Sequence, residues 1–313
     1  MKKVLLLGGT GFVGRHVCEK MVRQQWRVTV PTRRESHAKE VKPLPFVDVI
    51  EADVQDPAVL AQLVVGHDVV VNLIAVLHGT EAAFERTHVE LARKLVAACK
   101  TAGVQRVVHV SALGAAVDAP SLYLRSKAAG EAVLATSGLE LTVLRPSVIF
   151  GADDRFLNLF ARLQGIFPVM PLAGADARFQ PVWVEDIADA IAHCCKLNST
   201  TAPVYEGFGP ETFTLRQLVE LAGHLSGHQR KVIGLPMALG RLQAWVMERA
   251  PGEPLMSRDN LDSMRVDNVA SGKLPGLQAL GIKPAALRAI APTYLGLQGP
   301  HSSMQGLRET AGR

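Results

Sequence analysis

The stretch YLRSK, residues 123–127, sets a tyrosine four positions ahead of a lysine in a chain with three tyrosines in all. Four positions make one helical turn, so Tyr123 and Lys127 share a face if the segment is helical. A free phenol titrates near 10, too high to move a proton readily at neutral pH. A neighbouring ammonium favours the phenolate and lowers that value. Such a tyrosine can protonate a carbonyl oxygen as hydride reaches the carbon, or take the hydroxyl proton in the reverse direction. Ser111, at the end of a predicted strand, is expected to bond the same oxygen.

A second group of residues suits a dinucleotide. GGTGFVG, residues 8–14, sits between an apolar run and a helical pattern, and Gly8, Gly11 and Gly14 recur at threes. In that setting the first glycine permits a sharp turn, the second lets the backbone approach a pyrophosphate, and the third lets the helix lie against the sheet. Free amides and the helix dipole then favour the anion. The expected cradle is Gly8, Thr10, Gly11, Phe12, Val13 and Gly14. A ribose-binding acid is expected about 20 residues on. The second strand ends instead in VTVPTRRES, with no acid between Glu19 and Glu35. A carboxylate there would repel a 2′-phosphate, whereas Arg33 and Arg34 offer it paired donors, so the spacing predicts NADP(H) over NAD(H). The plainer alternative is a pair of arginines on a solvated loop.

The elements that must hold these groups alternate. Strand patterns at KVLLLGG, WRVTV (26–30), VDVIEAD (47–53), DVVVNLIA (68–75), VQRVVHVSA (104–112) and ELTVLRPS (140–147) are interleaved with helices over 11–24, 81–101 and through Tyr123. That rhythm predicts an α/β fold, a Rossmann-type doubly wound parallel sheet with a smaller C-terminal substrate or cap domain. The dinucleotide-binding domain is expected over 1–150, with 179–210 returning to it. The smaller region is expected over 151–313, with a polar tail at 301–313.

Composition excludes other classes. The charge of +5 is mild and no basic run marks a nucleic-acid arm. The four cysteines show no C-x-x-C spacing, and two are adjacent, as expected of reduced thiols in a cytoplasmic protein. No apolar run is long enough to span a bilayer, which leaves a soluble chain or one peripheral to an inner membrane. No histidine or cysteine spacing implies a metal: His16 and His88 lack i,i+4 partners, and His109 is expected in the core or behind the site. Asp153-Asp154 is expected to favour a helix start by charge. In LPMALGRLQAWVMER, Leu235, Leu239, Leu242 and Val246 share one helical face beside Trp245; that face either packs the small domain or docks on a membrane partner.

Taken together, GGTGFVG, Asp53 after the third strand, VVHVSALG, YLRSK, LRPSVIFG and RFQPVWVEDIADAI resemble the extended and atypical short-chain dehydrogenase/reductase superfamily, over most of residues 1–195. The resemblance implies Ser111, Tyr123 and Lys127 as a catalytic trio, with the lysine also bonding the nicotinamide ribose. It implies Asp53 and Val54 at the adenine, Ala75 lining the cofactor and Pro146 bordering the nicotinamide. It also implies an oxidoreductase or a sugar-nucleotide epimerase, commonly dimeric through the helices at 81–101 and 121–137. Dehydratases of the superfamily carry an Asp-Glu pair after the serine; here Ala112 and Leu113 follow. A narrower resemblance, through VTVPTRR, LRPSVIFGADDRFLN and GEPLMSRDNLDSM, is to the nucleotide-binding accessory subunit of respiratory complex I and its bacterial relatives. It implies a structural NADPH, ubiquinone-linked surroundings and contact with a respiratory complex. Several members of that branch lack the tyrosine that this chain keeps.

Overall fold

The computed structural model describes residues 1–197, 203–249, 252 and 254–296; the tail at 301–313 lies outside them. In chain order come β1 (Lys3–Leu7), α1 (Phe12–Arg23), β2 (Arg27–Thr32), β3 (Val47–Glu51), α2 (Pro57–Val64) and β4 (Val69–Asn72). Next are α3 (Glu81–Phe84), α4 (Leu91–Ala102), β5 (Arg106–Val110), α5 (Leu122–Ala135), β6 (Glu140–Pro146) and β7 (Ile149–Phe150). Then follow α6 (Leu157–Ile166), β8 (Val169–Ala173), β9 (Arg178–Phe179), β10 (Val182–Trp183), α7 (Val184–Cys194) and β11 (Val204–Gly207). The last long elements are β12 (Phe213–Thr214), α8 (Leu215–Leu225), β13 (Lys231–Leu235), α9 (Met237–Met247) and α10 (Arg258–Ser263).

The first unit takes in Met1–Pro146, Glu185–Gly207 and Ser271–Lys283. Its seven strands lie in the order β11-β6-β5-β4-β1-β2-β3, every neighbouring pair parallel. Strands covered on both faces need no polar alternation, and the Val and Leu runs of β1, β4 and β5 are buried accordingly. Leu5, Leu7 and Val70 of the sheet pack on Leu60 and Val64 of α2 and on Leu91 and Leu95 of α4. Chain order reverses between β1 and β4, and in open α/β sheets ligands bind at the carboxyl ends of the strands beside such a reversal. Cys18, Cys99, Cys194 and Cys195 are all buried and unbridged. Burial pushes the Cys18, Cys99 and Cys194 thiols up to about 12 and raises Cys195 further.

The helix expected over 81–101 is not uniform. A π-helical turn over Glu85–Glu90 joins α3 to α4. The widened turn brings the His88 carbonyl against α5, where a Cβ on Gly130 would stand 2.4 Å from it.

The second unit takes in Ser147–Val184, Phe208–Ala270 and the described residues from Pro284 on. It pairs β7 with β10, β9 with β12, and β8 with β13 around a core of Phe150, Phe160, Leu172, Phe179, Leu215 and Leu218. Asp154 accepts hydrogen bonds from the amides of Phe156, Leu157 and Asn158, so at the start of α6 it acts through hydrogen bonds as well as the charge expected of it. α9 packs through small residues: Gly240 lies on Ala173, and Ala244 is buried with Leu261. Its large side chains face outward, from Trp245 at 40% exposed to Leu242 at 58%.

Candidate functional site

The glycine loop is built for close approach. Gly8 has φ +84°, a left-handed conformation that favours glycine. A Cβ on Gly14 would meet the Gly8 carbonyl at 2.3 Å and the Gly9 Cα at 2.5 Å, so α1 starts in direct contact with the turn. No side chain caps α1 and no acid occupies its first turn, which leaves its leading amides and dipole to an anion.

Arg33 and Arg34 follow β2 and are exposed. The acids nearby are engaged elsewhere: Glu35 pairs with Lys42, Glu40 with Arg15, and Glu51 accepts the Glu35 amide at 3.1 Å. Neither arginine forms an ion pair among the described residues, so both guanidiniums suit a phosphate. Asp53, after β3, is exposed and accepts the Gln55 amide at 3.0 Å; Val54 beside it is buried. Ala75 lies exposed in the loop after β4, and Pro146 closes β6, buried. Since the strands are parallel, all these residues lie at the same end of the sheet.

Lys127 reaches the end of β5 beside Ser111, and Tyr123 packs on the cluster of Ala112, Ala119 and Leu124 that follows it. Ser111 is 4% exposed, and its Oγ has no hydrogen-bond partner among the described residues. The Ser121 hydroxyl accepts the Leu124 amide at 3.2 Å and starts α5, the helix that carries Tyr123 and Lys127. Lys127, 1% exposed, donates from Nζ to the Val110 carbonyl at 2.7 Å, one residue before Ser111. Burial lowers its ammonium to about 8 against the pull of Glu131, which itself holds Arg145 at 2.5 Å. The expected lowering of the Tyr123 phenol is not found. Burial dominates and pushes it up to about 12.

Three groups round the trio were not expected. His88, dismissed for want of a metal-type partner, touches the Tyr123 ring with centroids 5.8 Å apart. Ser126, within YLRSK itself, donates to the Tyr123 carbonyl at 2.7 Å. Asn72, the polar residue that ends the apolar β4, donates to His109 Nδ1 at 3.3 Å. His109 is buried behind the site, its imidazole held neutral by burial, then Lys127, then His88. Only the polar end of β4 left a mark in the sequence; the other contacts depend on the crossovers.

The profile of the NAD(P)H-binding family matches residues 8–157. The mitochondrial NADH dehydrogenase (ubiquinone) 1 alpha subcomplex subunit 9 of Mus musculus is 32% identical over 292 residues, covering 90% of this chain and 76% of that protein. A ceramide reductase of Caulobacter vibrioides is 28% identical over 235 residues, covering 74% of this chain and 73% of its own length. Among solved structures, a nucleoside-diphosphate-sugar epimerase of Staphylococcus aureus superposes with a TM-score of 0.71 at 18% identity, covering 92% of this chain and 98% of that one. At that identity the likeness concerns the fold.

Proposed function

Because this chain belongs to the family of NADH dehydrogenase (ubiquinone) 1 alpha subcomplex subunit 9 and has an NAD(P)-binding, short-chain dehydrogenase/reductase-like fold, we propose that it is an NADP(H)-dependent oxidoreductase interconverting a carbonyl compound, small or quinone-related, and its alcohol. The observation that carries this reading is the Ser111 hydroxyl, buried without a partner one residue past the carbonyl that holds Lys127. A buried hydroxyl left unmatched is costly, and a substrate oxygen at the strand's carboxyl end would satisfy it. When bound, the nicotinamide supplies a hydride to the carbonyl carbon or takes one from the alcohol. Ser111 then donates to the oxygen, Tyr123 gives it the proton, and the Lys127 charge opposes that of the phenolate left behind. A phenol pushed up to about 12 stays protonated at neutral pH, which suits donation and hence reduction. The similarity to a ceramide reductase supports the same direction.

NADPH oxidation is measured across aldehydes, ketones and quinones. On any substrate found, Tyr123→Phe is expected to lower kcat/KM by about two to four orders of magnitude. Unchanged turnover in that variant would remove Tyr123 from the reaction.

A second reading is favoured by the outward apolar face of α9. Under it the chain holds NADPH without turnover and docks that face on a protein subunit of a respiratory NADH dehydrogenase, peripheral to the membrane. Epimerisation is supported by the fold alone.

A further inference from the structure

His88 lies buried in the π-helical turn. The Val76 amide can only donate, so His88 Nε2, 3.2 Å away, is the nitrogen without a proton. Nδ1 therefore carries the proton and donates it to Ser126 Oγ at 2.8 Å. The Ser126 hydroxyl in turn donates to the Tyr123 carbonyl at 2.7 Å. The ring stands at 78° to that of Tyr123, and Phe84 stacks on it at 5.7 Å. Burial, then the charge of Lys127, hold His88 down to about 3, so it stays neutral and both bonds persist through the neutral range. Val76 follows Ala75, the residue expected to line the cofactor, and Ser126 lies between Tyr123 and Lys127.

We propose that His88 is a positioning residue, one nitrogen fixing the loop after β4 and the other fixing the turn of α5 that carries Tyr123. The purpose of such a link rests on the catalytic reading above, since it would hold cofactor wall and proton donor in register. A ring that only fills space would have no need of a single tautomer.

Two variants divide the ring. Asparagine sets its amide where Nδ1 stands and keeps the Ser126 bond; glutamine reaches the Nε2 position and keeps the Val76 bond. Both are measured in the full chain without ligand, by hydrogen exchange over residues 73–78 and over residues 121–127 at the start of α5. Loss of the ring beside Tyr123 is common to both variants, so the difference between them is what is read. His88→Asn is expected to speed exchange of the Val76 amide about tenfold relative to His88→Gln. His88→Gln is expected to speed exchange over 121–127 relative to His88→Asn and leave 73–78 within about twofold of wild type. Ser126→Ala, which keeps the ring, should repeat the glutamine result and serves alone if a His88 variant fails to fold. The proposal is overturned if the two His88 variants do not differ from each other in either segment, or if Ser126→Ala leaves exchange over 121–127 unchanged. NADPH binding and turnover are read separately. The split without either would sink the catalytic reading only; turnover without the split would sink this one only.

Discussion

Lys127 is the residue whose chemistry and stability pull apart. Its folded value of about 8 lies below the ordinary 10.5, so between those values the unfolded chain binds more protons. The stability lost by burying the ammonium is therefore lost in full below pH 8 and recovered as pH rises toward 10.5. The gap corresponds to about 3 kcal/mol. The stability difference between wild type and Lys127→Met should accordingly shift by about that amount in favour of wild type from pH 7 to 10.5. The lost Val110 bond is a constant offset, so denaturant melts at the two pH values isolate the charge. At the other end of the cofactor site, replacing Arg33 and Arg34 together by alanine is expected to weaken NADPH roughly tenfold or more while leaving NADH near its original Kd. Titration with both nucleotides decides it, and a wild type that prefers NADH would overturn the assignment. Ser111, Tyr123 and Lys127 could be proposed together from the sequence because they lie within seventeen residues of chain. The rise of the Tyr123 phenol was not legible there, since the atoms that desolvate it arrive from other elements.

At the scale of elements, what could be read followed hydrophobic pattern. Apolar runs announced β1 through β6, and the 3.6 period announced α1 and α4. The π-helical turn escaped because one widened turn barely disturbs that period. The short α2 escaped because its eight residues, opening on Pro57, give too few repeats. In the second unit, β7, β9, β10 and β12 have two residues each, below any period. For α9 the sequence favoured packing over docking and put Leu235 on the helical face, whereas Leu235 ends β13 and the helix starts at Met237. The structure puts Gly240 and Ala244 inside and the large residues outside. Lysine at both Leu239 and Leu242 should therefore change stability by no more than about 0.5 kcal/mol per site. It should abolish co-sedimentation with a respiratory NADH dehydrogenase if the second reading holds. Destabilisation of several kcal/mol would show instead that these side chains are packed.

At the scale of the whole molecule, two buried histidines set the acid limit. His88 is held at about 3 and His109 well below 6.5, burial being the chief cause for both. Each binds its proton more readily in the unfolded chain, so the histidines cost nothing above pH 6.5 and stability falls below it as acid is added, by about 1.4 kcal/mol per pH unit for each. Glu185, held at about 2 by His16 and Lys20, adds its own loss only below about 4.5. Denaturation midpoints should start to decline near pH 6.5, ahead of carboxylate titration; a flat profile down to pH 5 would contradict the buried neutral rings. The sealed thiols have a use of their own. Cys18 belongs to α1, Cys99 to α4 and Cys194 to α7, so three helices on the sheet each carry a dormant nucleophile. An alkylating agent reaches them only when their helix lifts away, and the order in which the adducts appear in a mass spectrum is the order in which the layers come off.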